Sequence, residues 1–246
     1  MTDMIPPSAT ATELLHAARQ MPARRIMRLT HQGRRYIVKS IEHHRTLLDR
    51  LQKGDPTIAF TRELALLCAF AERGAAVPRV AASDAERMIL SDCGETLNVL
   101  VSKGRVTPDI LVEAGRALAR LHRLGLAHGR PAIRDLCWDG QRITFLDLEA
   151  GAKLRANSRD KARDAILMLN SVFAMDPAHH FAAQHLWTGY SEDTDLARSA
   201  RAVARRLWWV ALLAWPLAQI HRIRGKQKSE FRAVARTHAF LLQPNA

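Results

Sequence analysis

Apolar residues recur every three to four positions along most of the second half of this chain, whereas two short segments of the first half alternate between apolar and polar residues. Alternation predicts strands with one buried face, and the longer spacing predicts amphipathic helices. Segments 25–30 and 35–41 are therefore predicted to be two strands joined across residues 31–34. A helix is predicted to follow over 61–74.

Later segments repeat the two patterns. Pro108 stands in the first turn of a predicted helix, and Asp139-Gly140 between two short apolar segments predicts a β-hairpin. The other predicted elements are a short helix over 12–20, a strand over 87–90, hairpin strands over 136–138 and 142–146, and helices over 107–124, from 159, over 196–220 and over 230–242. These segments predict an α+β protein in which helices predominate.

The composition describes a folded and strongly basic protein. Of its 246 residues, 48% are hydrophobic and 25% are charged, which argues against a disordered chain. A formal net charge of +13 predicts attraction to polyanions, namely nucleic acid, anionic lipid, lipopolysaccharide phosphates or nucleotides. The alternative is that the basic residues only cover solvent-exposed faces of helices and reflect an arginine-rich genome.

The cysteines and the first residues of the chain suggest a cytoplasmic protein. Cys68, Cys93 and Cys137 have no paired spacing, which argues against a zinc site or a disulfide framework and fits a reducing compartment. The first 15 residues lack a charged region followed by an apolar core, so no signal peptide is predicted.

The most informative stretch runs from residue 121 to residue 149. A polar segment from His128 to Arg134 follows a helix, a hairpin comes next, and Asp147 stands where the second hairpin strand ends. His128-Gly129, Asp135 and the sequence around Asp147 resemble the catalytic and metal-binding loops of atypical kinases, the Kdo/WaaP lipopolysaccharide kinases and the RIO-type kinases. The resemblance implies a two-lobed protein-kinase-like fold. Its small, partly degenerate, β-containing N-lobe would comprise residues 1–92 and its helical C-lobe residues 93–246.

The usual pattern of these kinases is His-Gly-Asp, four residues, Asn, a hairpin and then Ile-Asp-Phe. A gap-free overlay on this pattern assigns roles to the loop residues. It aligns His128 with the loop histidine, Asp135 with the loop asparagine and Asp147 with the metal-binding aspartate. Arg130 then occupies the position of the catalytic aspartate. Arginine stays protonated and cannot accept a hydroxyl proton, and loss of a general base typically lowers a rate by about 10² to 10⁴.

A second overlay stays open beside the first. It aligns Ile133-Arg134-Asp135-Leu136 with the motif His-Arg-Asp-Leu and so restores a catalytic aspartate at Asp135. It also shortens the spacing to Asp147 and leaves His128 without a role. The resemblance therefore implies catalytic-loop positions at His128, Arg130 and Asp135, with Asp135 and Asp147 as ligands of Mg²⁺ and Glu149 extending the acidic group.

In the first half of the chain the resemblance implies nucleotide contacts. Lys39 on the second predicted strand would contact ATP phosphates, and Glu63 on the following helix would be its ion-pair partner. Asp92 lies in a segment that resembles the adenine-binding hinge. The alternatives are a solvent-facing lysine and an exposed glutamate in the first turn of a helix. No G-x-G-x-x-G sequence precedes Lys39.

Two further segments have two interpretations each. Asp164 resembles the helix carboxylate that ties down the catalytic loop in these kinases, although it could equally be an acid near a helix N-terminus. Residues 205–224 combine Trp208, Trp209 and Trp215 with flanking arginines. This pattern fits an interfacial helix on the anionic inner membrane, or a buried core helix with snorkelling arginines.

Three functional hypotheses follow. The first is an ATP- and Mg²⁺-dependent phosphotransferase that acts on a hydroxyl, either of a lipopolysaccharide core sugar or of a protein Ser or Thr. The second is a pseudokinase that serves as a nucleotide-responsive or scaffolding module, favoured by Arg130. The third is a basic helical protein that binds nucleic acid or a membrane surface.

Overall fold

A computed structural model describes residues 11–22, 24–41, 55–148, 151–175, 180–223 and 230–243. Within these ranges the chain forms nine α-helices and two small antiparallel sheets, so the expected α+β class is confirmed. The contacts divide the chain into two compact units. Unit 1 comprises residues 1–71 and 77–93, and unit 2 comprises residues 72–76 and 94–246.

Unit 1 contains a four-stranded antiparallel sheet of order β1-β2-β4-β3. Its elements are α1 (Ala11–Arg19), β1 (Ile26–His31), β2 (Arg34–Ser40), α2 (Pro56–Glu72), β3 (Val80–Ser83) and β4 (Arg87–Ser91). The predicted hairpin of β1 and β2 is confirmed. Its two-residue turn has φ values of 48° at Gln32 and 72° at Gly33, the left-handed conformation that such tight hairpins require.

One face of this sheet is covered by α1. Leu14 and Ala18 of the helix pack against Tyr36, Val38 and Ile89 of the sheet, and all five side chains are buried. Because side chains alternate along a strand, Lys39 points to the opposite face from Val38. The sheet therefore separates an apolar core from the face that bears the lysine.

The helix predicted to begin at residue 61 begins at Pro56, so that prediction is wrong by more than one turn. The Asp55 carboxylate accepts a hydrogen bond from the Thr57 backbone N–H at 2.8 Å and caps the helix. An Asp followed by Pro is itself a start signal, since proline fits the first helical position. Glu63 consequently lies inside α2 rather than in its first turn.

Unit 2 is mainly helical. Its elements are β5 (Glu95–Thr96), α3 (Leu97–Ser102), α4 (Pro108–Arg123), β6 (Leu136–Trp138), β7 (Ile143–Phe145), α5 (Ser158–Met175), α6 (His180–Ser191), α7 (Thr194–Arg206), α8 (Trp208–Ile223) and α9 (Glu230–Leu242). The backbones of α4 and α6 approach closely at Gly115 and Gly189, where an added Cβ atom would overlap a carbonyl of the other helix. This contact packs α4 firmly into the unit. The helix leads directly into the loop that contains His128 and Asp135.

Most predicted elements of unit 2 are confirmed. Thr107 caps α4 by accepting a hydrogen bond from the Ile110 N–H at 3.4 Å, and the hairpin of β6 and β7 turns at Asp139-Gly140. The helix predicted over 196–220 is two helices instead, because α7 ends at Arg206 and α8 begins at Trp208. Pro216 lies inside α8. Among the described residues, no helix combines the length and the apolarity needed to cross a membrane.

Candidate functional site

The loop between α4 and β6 is pinned at its start to the segment that follows the hairpin. Ala127 and Lys153 exchange two backbone hydrogen bonds, of 3.1 and 2.8 Å. Gly129 has a φ of 95°, and a Cβ atom added there would overlap the Gly151 backbone. Only glycine tolerates both conditions, so the His128-Gly129 pair has a structural reason in this chain.

Asp164 of α5 holds the same loop through hydrogen bonds to its backbone. Its carboxylate is fully buried and accepts hydrogen bonds from the backbone N–H groups of His128, at 2.6 Å, and Gly129, at 2.9 Å. The prediction that this residue ties down the loop is confirmed. Hydrogen bonds to a charged acceptor are stronger than those between neutral groups, so the loop conformation is held tightly.

A buried histidine and tyrosine complete the network around Asp164, and the sequence analysis did not identify them. The His122 Nδ1 atom lies 3.0 Å from the Tyr190 hydroxyl, and its Nε2 atom lies 3.5 Å from the Asp164 carboxylate. Burial lowers the pKa of His122, although Asp164 acts in the opposite direction, and burial raises the pKa of Tyr190. A neutral imidazole that accepts from Tyr190 and presents its Nε2–H to Asp164 satisfies all three groups. The sequence did contain one indication that His122 is buried. It follows Leu118 by one helical turn and so lies on the apolar face of α4.

The pH dependence of stability tests this network. Because the pKa of His122 is lower in the folded chain than its ordinary value of 6.5, the unfolded chain binds a proton that the folded chain does not. The free energy of unfolding should therefore fall as the pH decreases below about 6.5, by at most about 1.4 kcal/mol per pH unit. Urea denaturation of the wild type and His122→Gln between about pH 7.5 and about pH 5.5 measures this contribution. The variant should lose it, whereas His16→Gln at an exposed position of α1 should keep it; equal slopes in all three proteins would contradict the assignment.

Leu146 is held from both sides immediately before Asp147. Its carbonyl accepts a hydrogen bond from the His128 Nε2–H at 2.7 Å, and its N–H donates to the Asp135 carbonyl at 2.7 Å. The exposed Asp147 that follows has a φ of 53°. The other described non-glycine residue with a positive φ is Gln32, which lies in a hairpin turn. Asp147 lies in no such turn, and its left-handed backbone directly follows the residue that His128 and Asp135 hold.

Asp135 ends a single 3₁₀ turn, Ile133–Asp135, directly before β6. Its side chain is 12% exposed, and its carboxylate accepts a hydrogen bond from the Ala132 N–H at 3.1 Å and lies 3.6 Å from the Arg134 guanidinium. Burial raises the pKa of this carboxyl, and the nearby Asp147 charge also raises it, while His128 and Arg134 act against the rise. The structure thus brings Asp135 and Asp147 close enough for their charges to interact.

Two neighbouring carboxylates are a suitable donor set for Mg²⁺. This hard cation usually takes one or two protein carboxylates and completes its shell with phosphates and waters. The described residues contain no group of three or more His, Cys, Asp or Glu residues arranged to bind a metal alone. Glu149, predicted to extend the acidic group, lies outside the described residues. The chemistry of Asp135 and Asp147 therefore suits Mg²⁺, and the binding of a metal by these two acids stays a prediction.

Arg130 is exposed and lines a cavity of about 420 Å³ beside the loop. Residues 130–134 form one wall and α5 forms the other, with Asn170, Ser171 and Met175 among its lining residues. The Ser171 hydroxyl accepts from the Ile133 N–H at 3.1 Å and so joins the two walls. Among the described residues that line this cavity, two are arginines, Arg130 and Arg134, and none is acidic, which suits an anionic ligand.

Unit 1 contains the predicted ion pair. The Lys39 Nζ atom lies 2.5 Å from a Glu63 carboxylate oxygen, and the two side chains are 13% and 15% exposed. A pair so little exposed is screened weakly by water. Both residues are therefore positioned by each other, as the resemblance implied.

Breaking the Lys39–Glu63 pair should destabilise unit 1. Removing one partner of a buried pair leaves an uncompensated charge, so Lys39→Met should lower the free energy of unfolding by about 2–4 kcal/mol. Adding Glu63→Leu should restore most of that loss. A double-mutant cycle in urea measures the coupling energy, and the exposed pair Arg116–Glu192 provides the matched cycle, with a much smaller coupling expected. Equal coupling in both cycles would show that burial does not strengthen the Lys39–Glu63 pair.

Asp92 follows β4 at the end of unit 1. Its N–H donates to the Arg35 carbonyl at 3.2 Å, and its carboxylate lies 3.6 Å from the Arg35 guanidinium. The residue thus extends the pairing of β4 with β2. Its predicted contact with adenine stays a prediction.

Comparison with known protein families finds no match for this chain. The chain is similar to a protein of Haemophilus influenzae that is described as uncharacterized, with 33% identity over 156 residues. The similar region covers 60% of this chain and 62% of the Haemophilus protein. The chain thus spans less than two thirds of the length of this relative.

Proposed function

We propose that this protein is an ATP- and Mg²⁺-dependent phosphotransferase with the two-lobed, protein-kinase-like arrangement of the Kdo/WaaP and RIO-type kinases. It transfers a phosphoryl group to a hydroxyl acceptor. The observation that carries the proposal is the clamp on Leu146. His128 and Asp135, both residues of the anchored loop, hold the residue directly before Asp147, whose backbone is left-handed.

This clamp has a cost that the fold alone does not explain. A non-glycine residue in the left-handed region costs of order 1–3 kcal/mol and persists where its surroundings over-determine it. The His128 Nδ1 atom is also buried and has no hydrogen-bond partner among the described residues. Strain and an unsatisfied polar atom around an exposed acid are typical of a functional site, where an orientation is maintained at the expense of stability.

The clamp also favours the gap-free overlay. His128 uses its ring to bind the Leu146 carbonyl, whereas Ile133, its counterpart in the shifted overlay, has no side-chain donor. Asp135 stands directly before β6, as expected for the second metal ligand that ends the loop. These contacts support Asp135 as a ligand and Arg130 as the occupant of the catalytic-aspartate position.

The roles of the residues follow from this overlay. Asp147 and Asp135 would hold Mg²⁺, which neutralises negative charge on the transferring phosphate. Lys39, oriented by Glu63, would contact phosphate oxygens. Asp164 and His128 act as positioning residues, because each holds backbone of the loops that carry the acids.

The cavity beside the loop supports an anionic acceptor. Arg130 and Arg134 line it together with apolar atoms of Ile133 and Leu167. An acceptor that already carries a phosphate or carboxylate, such as a lipopolysaccharide core sugar, is complementary to this lining. A substrate protein would be equally complementary to this cavity only if acidic residues of that substrate flanked its Ser or Thr.

Arg130 favours a second candidate, a pseudokinase. An exposed guanidinium cannot accept the proton of an attacking hydroxyl, and none of the described residues that line the cavity beside it is acidic. Such a protein would bind Mg²⁺ and nucleotide and respond to them without transferring phosphate.

Two measurements on the full chain separate the candidates. A ligand that binds only the folded state stabilises it, by about 2.7 kcal/mol at a concentration 100 times its Kd, so ATP with Mg²⁺ should raise the thermal midpoint. Transfer of labelled phosphate from ATP should accompany this rise in the phosphotransferase and be missing in the pseudokinase. No response to nucleotide would contradict the phosphotransferase and the nucleotide-responsive pseudokinase, and would leave the scaffolding module. Salt-sensitive DNA binding without a nucleotide response would instead support the nucleic-acid hypothesis.

A further inference from the structure

Helix α8 exposes a continuous apolar stripe. Trp208, Leu212, Pro216 and Ile220 follow one another at intervals of four residues, which places them on one side of the helix, and all four are exposed. Trp209 and Leu213 widen the stripe. The exposed fractions are 59% for Trp208, 48% for Trp209, 60% for Leu212, 66% for Leu213 and 43% for Ile220. An exposed apolar surface of this extent on one helix indicates an interaction site.

The opposite side of α8 is packed within unit 2. The helix contacts α9, and Ala214, which lies between the exposed positions in sequence, is buried. The helix therefore lies along the surface of unit 2 with one side covered and the other open. This arrangement sets aside the core-helix interpretation for Trp208 and Trp209.

The charged side chains of the segment that contains α8, residues 196–229, are all basic. Residues 196–229 contain no Asp or Glu. The same stretch contains eight basic residues, Arg198, Arg201, Arg205, Arg206, Arg222, Arg224, Lys226 and Lys228. Arg205 and Arg206 are exposed immediately before the helix. Whatever covers the apolar stripe must accept this positive charge beside it.

We propose that α8 is a membrane-docking helix that lies in the headgroup region of an anionic bilayer. Trp208, Trp209, Leu212 and Leu213 insert between the lipids, and Arg205 and Arg206 contact lipid phosphates. Tryptophan beside leucine, with arginine at the border, is the composition of interfacial helices, whose binding combines apolar burial with attraction to anionic lipid. A second copy of the chain fits less well, because a symmetric contact would place the same basic stretch against itself.

The test is flotation of the full chain with vesicles of phosphatidylcholine alone and of phosphatidylcholine mixed with phosphatidylglycerol. Binding should be strong with the anionic mixture and weak with the neutral vesicles. The emission of Trp208 and Trp209 should shift to shorter wavelength as the indoles leave water. This docking needs no nucleotide, so its outcome is independent of the proposed phosphotransfer.

Paired variants with matched controls identify the contributing groups. Leu212→Ser/Leu213→Ser should weaken binding to the anionic vesicles by about tenfold or more, because each leucine loses apolar burial. Ile58→Ser/Phe181→Ser removes two similarly exposed apolar side chains elsewhere and should leave binding unchanged.

Charge is tested in the same assay. Arg205→Gln/Arg206→Gln should weaken binding by roughly 30-fold, from about 1 kcal/mol for each basic residue near the surface. Arg28→Gln/Arg155→Gln lowers the net charge equally, at exposed positions far from α8 in sequence, and should have little effect.

Three results would overturn the proposal. The first is equal binding to neutral and anionic vesicles, and the second is binding that survives Leu212→Ser/Leu213→Ser. The third is concentration-dependent self-association without vesicle binding, abolished by that same double variant, which would assign the stripe to a contact between copies. Thermal unfolding of each variant shows whether a loss of binding reflects loss of fold.

Discussion

Replacing Asp147 by glycine is expected to stabilise the protein and to abolish its response to Mg²⁺ and ATP. Glycine adopts a φ of 53° without strain, so Asp147→Gly should raise the free energy of unfolding by about 0.5–1 kcal/mol. The same change removes the exposed carboxylate that we propose as a ligand of Mg²⁺. A bound metal typically contributes several kcal/mol of charge stabilisation in a transition state, so labelled-phosphate transfer should fall by a factor of about 10³ or more.

Gln32→Gly is the matched control, because it should reproduce the gain in stability of Asp147→Gly without the loss of the response to Mg²⁺ and ATP. Gln32 also has a positive φ, but it lies in the hairpin turn of unit 1 and is not assigned a ligand role. Its replacement should give a similar gain in stability and leave the Mg²⁺-dependent thermal shift intact. Asp147→Asn, which tolerates the left-handed conformation but lacks the charge, should lose the shift without the gain in stability. An unchanged nucleotide response in Asp147→Gly would refute the metal-ligand assignment.

Asp164→Ala is expected to have the largest effect on stability. It removes the acceptor of two buried backbone N–H groups, those of His128 and Gly129, and each unsatisfied group costs about 1–3 kcal/mol. The free energy of unfolding in urea should therefore fall by about 3–5 kcal/mol, a large share of the total for a typical domain. Asp195→Ala, at an acid whose side chain is 84% exposed on α7, should change it by less than about 0.5 kcal/mol.

Hydrogen exchange locates the effect of this substitution. In the wild type the His128 and Gly129 amides should exchange slowly, since opening them breaks bonds to a buried carboxylate. In Asp164→Asn, whose amide oxygen accepts one bond while its NH₂ group faces the second N–H, both amides should exchange faster and stability should fall by less than in Asp164→Ala. Unchanged exchange at both amides would show that Asp164 does not control the loop.

Elements whose signals lie within a few residues could be predicted from the sequence. The β1–β2 hairpin follows from a turn that needs left-handed residues, and α4 follows from Thr107 and Pro108 at its start. The same kind of signal was overlooked at Asp55-Pro56, which begins α2. A cap at Asp193 likewise marks the start of α7, which the sequence analysis merged with α8.

The candidate site could be predicted only in part. Its residues were identified through resemblance to a kinase pattern, and local periodicity alone would have assigned Lys39, Glu63 and Asp164 to ordinary exposed positions. His122 and Tyr190 were missed because they meet across 68 residues of sequence. No local pattern specifies which of many buried polar side chains will be partners, since that depends on how α4, α5 and α6 pack.

By itself, the sequence determined the type and approximate position of most strands and helices, because caps, turns and side-chain periodicity act over one or two turns of chain. The start of α2 and the break between α7 and α8 were the exceptions. Only the tertiary structure decided that Asp164 holds the loop, that Leu146 is clamped before a strained Asp147, and that the apolar side of α8 faces outward. Each of these depends on contacts between segments distant in sequence. A tryptophan-rich helix has the same local pattern whether a neighbour covers it or not, and only the exposure of Trp208, Leu212 and Leu213 in the folded chain shows that this side is open.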